Sequence, residues 1–148
     1  MEFISCRAII IREKKLVVMR RKKNGEEYCT FPGGHVEGNE SGEECVKREV
    51  LEEFGINIEP VRLIYVYEFR GEKQGFFVSK WVSGEIHITN AEEYQQTKYG
   101  TYNPDLIEIV KINEESLMPP EIARQFIFDY NKYGENLIRP LIYVKADN

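Results

Sequence analysis

One stretch, FPGGHVEGNESGEECVKREVLEEFGI at residues 31–56, constrains the fold of this chain more than any other. Its opening Phe-Pro-Gly-Gly favours a loop, because proline lacks a backbone N–H and paired glycines favour unusual backbone angles. Ser41 and Glu44 then fit a capping box, in which each side chain bonds the other residue's backbone N–H. Gly55 lies where a left-handed residue would end the helix. The stretch therefore predicts a loop, a helix over about 42–54 and a second loop.

The predicted helix has two different faces at about 100° per residue. The residues of one face are apolar and are expected to pack on a sheet: Val46, Val50 and Phe54. The other face brings together Glu49, Glu52 and Glu53, whose like charges repel by about 0.2–0.5 kcal/mol per exposed pair. A divalent cation such as Mg²⁺ takes carboxylate oxygens as ligands and would relieve that repulsion. Arg48 lies beside this face, where it would pair with Glu44 or Glu52.

A solvated acidic helix face is the plainer interpretation of three glutamates alone, and the length of the surrounding pattern is what favours a site. The stretch resembles the Nudix hydrolase signature, G-x5-E-x7-R-E-U-x-E-E-x-G-U, where U is a bulky apolar residue. Every fixed position is matched, by Gly34, Glu40, Arg48, Glu49, Val50, Glu52, Glu53, Gly55 and Ile56. The match covers residues 34–56, here called the Nudix box, and the Phe-Pro-Gly-Gly before it is similar to the family as well.

The resemblance implies hydrolysis of a pyrophosphate bond in a nucleoside diphosphate linked to another moiety, with Mg²⁺ or Mn²⁺ as cofactor. It implies these metal ligands by position: Gly33 through its carbonyl, Glu49, Glu52 and Glu53. Glu52 is also the candidate catalytic base, and Arg48 would orient the cluster. Glu40 and Gly34 would be structural or would lie in the outer shell of the metal. A bound metal would polarise phosphoryl oxygens and lower the pKa of a water.

Charged residues outside the Nudix box supply further candidates. Many Nudix enzymes place a basic residue at the end of the strand that ends here near Arg20 and Arg21, so either would neutralise substrate phosphates, with Arg21 preferred. An exposed hairpin tip is the alternative for this basic run. Glu92 and Glu93 lie in a long polar segment, residues 84–103, where some family members place a metal ligand or the base. Two solvated glutamates are the alternative there.

The order of predicted elements indicates an α/β fold. Strand-like segments are predicted at residues 4–11, 16–19, 28–31, 58–70, 76–82 and 106–112. A second amphipathic helix is predicted over 121–133, ending at Gly134. The apolar run 137–144 is either an edge strand or a tail that contacts a partner, as in a homodimer. This order fits the Nudix fold, an α/β/α sandwich around a mixed β-sheet that carries the loop-helix-loop motif.

Composition limits the class of protein. A length of 148 residues predicts one Nudix hydrolase domain over 1–148. A net charge of −5 argues against a dedicated nucleic-acid binder. The sequence contains no run of about 18 apolar residues, so a membrane span is not expected. Three cysteines without a CxxC pattern and an N-terminus unlike a signal peptide predict a cytoplasmic protein with reduced thiols.

Several functions are open within this resemblance. The absence of other subfamily motifs favours a MutT-like enzyme acting on a (deoxy)nucleoside triphosphate or a damaged nucleotide. The alternatives are a pyrophosphatase for ADP-ribose, nucleotide sugars or dinucleoside polyphosphates, and a nucleotide-sensing domain without turnover. A sensor is disfavoured because all the glutamates of the Nudix box are present. A relative of polyprenyl diphosphate isomerases would need a catalytic cysteine, for which Cys29 or Cys45 is available.

Overall fold

The computed structural model describes residues 2–87, 100–114 and 116–147. Its two helices are α1 (Gly42–Phe54) and α2 (Pro120–Tyr133), which confirm both predicted helices to within a residue. The strands are β1 (Ser5–Arg12), β2 (Lys15–Lys23), β3 (Glu26–Thr30), β4 (Gly33–His35), β5 (Ile56–Phe69), β6 (Glu72–Gly84), β7 (Thr101–Glu108), β8 (Leu117–Met118) and β9 (Ile142–Lys145). Neither helix is long and apolar enough to cross a bilayer, a finding that concerns the described residues alone.

The strands form one mixed sheet in the order β8-β3-β2-β1-β6-β5-β9, with β4 paired to β1 and β7 paired to β2. The pairs β1–β6, β3–β8 and β5–β9 are parallel, and the other pairs are antiparallel. Two strands share one edge of β1, because β4 pairs with its residues 5–7 and β2 with its residues 11–12. The sheet divides at this edge, and the glycines that precede α1 lie at the division.

Each face of the sheet carries a helix and its own buried core. The core under α1 includes the helix residues Cys45, Val46, Val50 and Phe54 together with the strand residues Ala8, Ile10, Val17 and Met19. The opposite core includes Ile122, Ala123 and Phe126 of α2. There Phe31 meets Phe76 and Phe126 edge-on, with ring centroids 5.4 and 6.0 Å apart. The layers are therefore helix, sheet and helix, which confirms the predicted α/β/α sandwich.

The structure corrects the predicted loop before α1. Residues Gly33–His35 form strand β4, antiparallel to β1. A Cβ on Gly33 would lie 2.1 Å from the carbonyl oxygen of Cys6, so only a glycine lets these two backbones approach this closely. Both glycines therefore belong to a short strand that begins three residues after β3 ends at Thr30.

Three other segment predictions were wrong in part. The basic run 20–23 lies inside β2, and the hairpin tip is the following Asn24-Gly25, both with positive φ. The predicted loop 84–103 ends early, because residues 101–103 already belong to β7. At its other end β7 stops at Glu108, where a short 3-10 helix replaces the predicted strand. In both strands, pairing with neighbours far along the sequence sets the boundary.

The C-terminal tail is an edge strand, as one of the two interpretations held. Strand β9 runs parallel to β5 from Tyr65 to Glu68. The fully buried carboxylate of Asp129 anchors the tail, since it accepts hydrogen bonds from the Tyr65 hydroxyl at 2.6 Å and from Arg139 at 2.9 Å. Burial and this carboxylate raise the pKa of Tyr65, which keeps the hydroxyl a donor.

Candidate active site

The ends of α1 are fixed by local contacts. The Ser41 hydroxyl accepts from the Glu44 N–H at 3.1 Å, and the Glu44 carboxylate accepts from the Ser41 N–H at 2.8 Å. At the other end Gly55 is left-handed, with φ 73°, and its N–H donates to Leu51. These bonds confirm the predicted capping box and the predicted helix end, and they hold the glutamates of α1 in register.

Arg48 joins α1 to the loop that precedes it. Its guanidinium donates to both carboxylate oxygens of Glu40, at 2.7 and 2.9 Å, and to the carbonyl of His35 at 3.1 Å. Such a two-pronged pair fixes geometry as well as charge. The same hydrogen bonds lower the pKa of Glu40 to about 2. Of the two predicted partners of Arg48, Glu52 is confirmed at 3.3 Å. Glu44 is not a partner, because its carboxylate accepts from the Ser41 N–H in the helix cap, and Glu40 pairs with Arg48 as well.

The remaining nitrogen of Arg48 bridges two glutamates of the acidic face. Its Nη1 donates to Glu49 at 3.0 Å and to Glu52 at 3.3 Å. The Glu52 side chain is 59% exposed, whereas that of Glu49 is only 13% exposed. Across the described ranges no three acidic, histidine or cysteine side chains converge into a complete metal cluster. The structure thus brings Glu49 and Glu53 together and turns Glu52 outward along the helix.

Glu49 and Glu53 form a carboxylate pair beside the glycines of β4, in which the Glu49 side chain is largely buried and Glu53 is exposed as a residue. A Cβ on Gly34 would lie 2.6 Å from the Glu49 carboxylate, so this carboxylate packs directly on the Gly34 backbone. Desolvation, together with the hydrogen bond and charge of Glu49, raises the pKa of Glu53 to about 7. Two carboxylates that resist joint ionisation are a pair that a cation would stabilise. With the neighbouring Gly33 carbonyl, these oxygens fit Mg²⁺, which usually takes one or two carboxylates, waters and substrate phosphates.

Arg21 extends over the same face of the sheet as α1, between two tyrosines. Tyr28 of β3 and Tyr102 of β7 are its cross-strand partners. The Arg21 guanidinium lies 3.7 Å from the Tyr102 ring centroid and 5.8 Å from that of Tyr28, and its Nε donates to Thr101. Arg21 shares a face with the α1-side core residue Met19, because side chains two positions apart point the same way along a strand.

Arg20 points to the opposite face of the sheet. It alternates with Arg21 and follows Val18, which belongs to the core on the α2 side. Its guanidinium forms an ion pair with Asp105 at 2.9 Å. Of the two arginines proposed from sequence to bind phosphate, the structure therefore places only Arg21 on the side of the carboxylate pair.

Arg7 is a charged residue of this region that the sequence analysis missed. Its Nη1 donates to the carbonyls of Phe31 at 3.1 Å and Gly33 at 3.3 Å. Burial lowers the pKa of Arg7, and the nearby charges of Glu53 and Glu49 oppose that effect. The available signal was an arginine beside the apolar run Ala8–Ile11 of β1, since a charged side chain is rarely buried without a partner.

The remaining candidates lie elsewhere. Glu92 and Glu93 fall outside the described residues. Cys29 is buried in the α2-side core, and Cys45 is fully buried under α1, where its thiol donates to the Gly34 carbonyl at 3.4 Å. Both thiols are closed off from solvent, which argues against the isomerase interpretation.

Comparisons with known proteins agree with this geometry. The NUDIX domain family model matches residues 2–127. An RNA pyrophosphohydrolase of Haemophilus influenzae is 32% identical over 99 residues, which cover 54% of this chain and 50% of the relative. An ADP-ribose pyrophosphatase of Methanocaldococcus jannaschii is 40% identical over 60 residues, which cover 40% of this chain and 36% of the relative. The chain thus spans half the length, or less, of these two curated relatives.

A solved structure supports the fold. A NUDIX hydrolase from Nitrosomonas europaea superimposes with a TM-score of 0.68, covering 99% of this chain and 81% of that chain. Its sequence is 17% identical, so the likeness concerns the fold alone.

Proposed function

The chain belongs to the Nudix family, and on that premise we propose that it hydrolyses a pyrophosphate bond in a nucleoside diphosphate linked to another moiety. The observation that carries this proposal is the carboxylate pair of Glu49 and Glu53, in which Glu49 packs against Gly34 of β4. Nudix hydrolases generally use divalent metal ions, and we assign Mg²⁺ or Mn²⁺ to this pair. The carbonyl of Gly33 is the third proposed ligand.

The protein's own residues have distinct proposed roles in the reaction. A divalent cation, when bound, supplies Lewis-acid polarisation of the phosphoryl oxygens and an acidified water. Arg21 neutralises phosphate charge from the sheet, where its guanidinium lies 3.7 Å from the Tyr102 ring centroid. Arg48 keeps Glu49 in place through a 3.0 Å hydrogen bond and presents Glu52 at 3.3 Å. Glu52, exposed beside the pair, is the proposed acceptor of the proton of the attacking water.

We propose nucleoside triphosphates or damaged nucleotides as the first substrate class. ADP-ribose, nucleotide sugars and dinucleoside polyphosphates form the second class. RNA is a third candidate substrate, because several relatives are named RNA pyrophosphohydrolase. A net charge of −5 disfavours extended contact with a nucleic acid. In the alternative function, a nucleotide sensor, the same site binds a nucleotide without hydrolysing it.

A hydrolysis screen tests the proposal. Purified protein is incubated with Mg²⁺ or Mn²⁺ and each substrate class, including 5′-triphosphorylated RNA, and the products are separated by chromatography. We expect cleavage of one class at a pyrophosphate bond, and we expect EDTA to stop it. Absence of turnover on every class, together with tight binding of one nucleotide, would replace the enzyme by the sensor.

Paired substitutions of the two neighbouring arginines test the phosphate-binding side. Arg21→Gln should raise KM about 10- to 100-fold, because a hydrogen bond to a charged group contributes about 1.5–3 kcal/mol. Arg20→Gln should change KM less than about threefold, since it removes only a partly exposed ion pair with Asp105. Steady-state kinetics of both variants checks this expectation. Equal effects of the two substitutions would remove Arg21 from the site.

The pH dependence of metal binding tests the carboxylate pair. In the metal-free protein the raised pKa of Glu53, about 7, keeps its carboxyl protonated at lower pH. A cation must displace that proton, so affinity should fall as pH decreases below 7, by at most about tenfold per pH unit. Calorimetric Mn²⁺ titrations in buffers of different ionisation enthalpy would show the released proton. A constant Mn²⁺ affinity between pH 5.5 and 8 would contradict the release of a proton from Glu53. The same pH dependence of Mn²⁺ affinity in Glu53→Gln would also contradict it.

A further inference from the structure

We propose that Arg7 is a substrate-binding residue that contacts the pyrophosphate opposite the carboxylate pair. This inference rests on the proposed function and adds a second cationic contact to the one proposed for Arg21. It concerns a residue outside the Nudix box, contributed by the central strand β1.

One edge of the Arg7 guanidinium is already fixed. Its Nη1 donates to the carbonyls of Phe31 and Gly33, at 3.1 and 3.3 Å. A guanidinium carries five N–H groups, so these two bonds leave its Nε and Nη2 donors. Neither of those nitrogens has a hydrogen-bond acceptor among residues 2–87, 100–114 and 116–147. The side chain is therefore held in one orientation with unused donors, which is a favourable arrangement for binding an anion.

Arg7 approaches the carboxylate pair without forming an ion pair. Arg48 lies within 4.0 Å of four glutamates, whereas Arg7 has no carboxylate within that distance in the described part of the chain. Glu49 and Glu53 are nevertheless near enough for their charges to act on it, as is Arg21. Opposite charges thus lie near one another without direct contact. A pyrophosphate group suits this arrangement chemically, because it can bind a cation and a guanidinium at the same time.

The β1–β4 pairing places Arg7 beside the glycines of β4. Arg7 and Gly33 are cross-strand partners, and a Cβ on Gly33 would lie 2.9 Å from the Arg7 Cδ. The glycine therefore leaves room for the arginine side chain beside the β4 backbone, one residue from Gly34, on which Glu49 packs. Support of the Phe31 and Gly33 carbonyls uses only the Nη1 of Arg7, and this role alone gives no reason for its Nε and Nη2 to stay without acceptors in the described part of the chain.

The test compares binding and turnover in three variants. Arg7→Met removes the charge, and Arg7→Lys keeps the charge but lacks the planar fork. Arg12→Met is the matched control, because Arg12 is the arginine at the far end of β1 and stacks on Trp81 at 3.9 Å. Calorimetry with imidodiphosphate and Mg²⁺ measures phosphate binding, and steady-state kinetics separates KM from kcat. Thermal melting reports the fold of each variant.

We expect Arg7→Met to weaken imidodiphosphate binding by tenfold or more and to raise KM, about tenfold corresponding to 1.4 kcal/mol. Arg7→Lys should weaken binding less, and Arg12→Met should bind as the unmodified protein does. A folded Arg7→Met protein with unchanged imidodiphosphate affinity would overturn the inference. If Arg7→Met does not fold, unchanged affinity in Arg7→Lys would overturn it.

These outcomes are separable from failure of the proposed function. An unmodified protein that neither cleaves any substrate nor binds imidodiphosphate would contradict both proposals. An unmodified protein that cleaves pyrophosphate bonds, with Arg7 variants altered only in melting temperature, would contradict the role of Arg7 alone.

Discussion

Glu53→Gln should lower kcat/KM by about 100- to 1,000-fold while leaving the fold intact. The substitution removes one of two converging carboxylates proposed to hold the metal, whose charge stabilisation contributes several kcal/mol, and each 1.36 kcal/mol corresponds to tenfold in rate. The metal-free fold should tolerate the change, because desolvation already disfavours the charged form of Glu53. Steady-state kinetics at saturating Mg²⁺ measures the first effect, and thermal melting measures the second.

Glu43→Gln is the matched control for this substitution. Glu43 is an exposed glutamate in the first turn of the same helix and lies outside the fixed positions of the Nudix signature. We expect its kcat/KM to stay within about twofold of the unmodified protein, as is usual for surface substitutions of small energetic effect. Turnover and metal affinity in Glu53→Gln equal to those in Glu43→Gln would refute the assignment of the carboxylate pair.

Gly33→Ala should destabilise the protein by about 2–5 kcal/mol, the sum of backbone strain and overpacking. Gly33 has a φ of 147°, and an added Cβ would lie 2.1 Å from the Cys6 carbonyl oxygen and 2.8 Å from the Arg7 Cα. Neither is a flexible side-chain end, so the β1–β4 pairing must separate. For a chain of this size the melting temperature should fall by about 10 °C, and differential scanning calorimetry measures it.

Gly38→Ala separates backbone strain from the close approach. Gly38 lies in the loop between β4 and α1 with a φ of 53°, and an added Cβ there would meet nothing within 4 Å. We expect a loss of only about 1 kcal/mol. If Gly33→Ala and Gly38→Ala melt at the same temperature, the tight β1–β4 contact has no energetic importance.

The local features of the site were predictable because they depend on neighbours in sequence. The capping box joins Ser41 and Glu44, three residues apart, and Gly55 ends the helix through its own backbone preference. The apolar and acidic faces of α1 follow from helical periodicity alone. The family resemblance then supplied the chemistry that periodicity could not.

The arrangement of the charges depended on contacts that periodicity does not encode. Arg48 pairs with Glu40, eight residues earlier, because the loop folds back over the helix. That contact places the Arg48 guanidinium where its Nη1 also bridges Glu49 and Glu52. Arg7 reaches Gly33 only because β4 pairs with β1 across 26 residues of sequence. Strand pairing over such separations has no marker in a single sequence.

The choice between Arg20 and Arg21 shows the same limit. The predicted strand ended at residue 19, so their alternation along β2 follows only from the observed strand, Lys15–Lys23. Which of them faces α1 depends on the register of β2 in the sheet. A shift of one residue would exchange their faces. The paired register of Arg21 with Tyr28 and Tyr102 sets the answer.

Anomalous diffraction at the manganese absorption edge, from crystals grown with Mn²⁺ and imidodiphosphate, tests the central claim most directly. We expect a manganese peak bounded by the carboxylates of Glu49 and Glu53 and the carbonyl of Gly33, and a loss of that peak in Glu53→Gln crystals. A peak at another place, or none at this pair in a protein that cleaves pyrophosphate bonds in solution, would contradict the account.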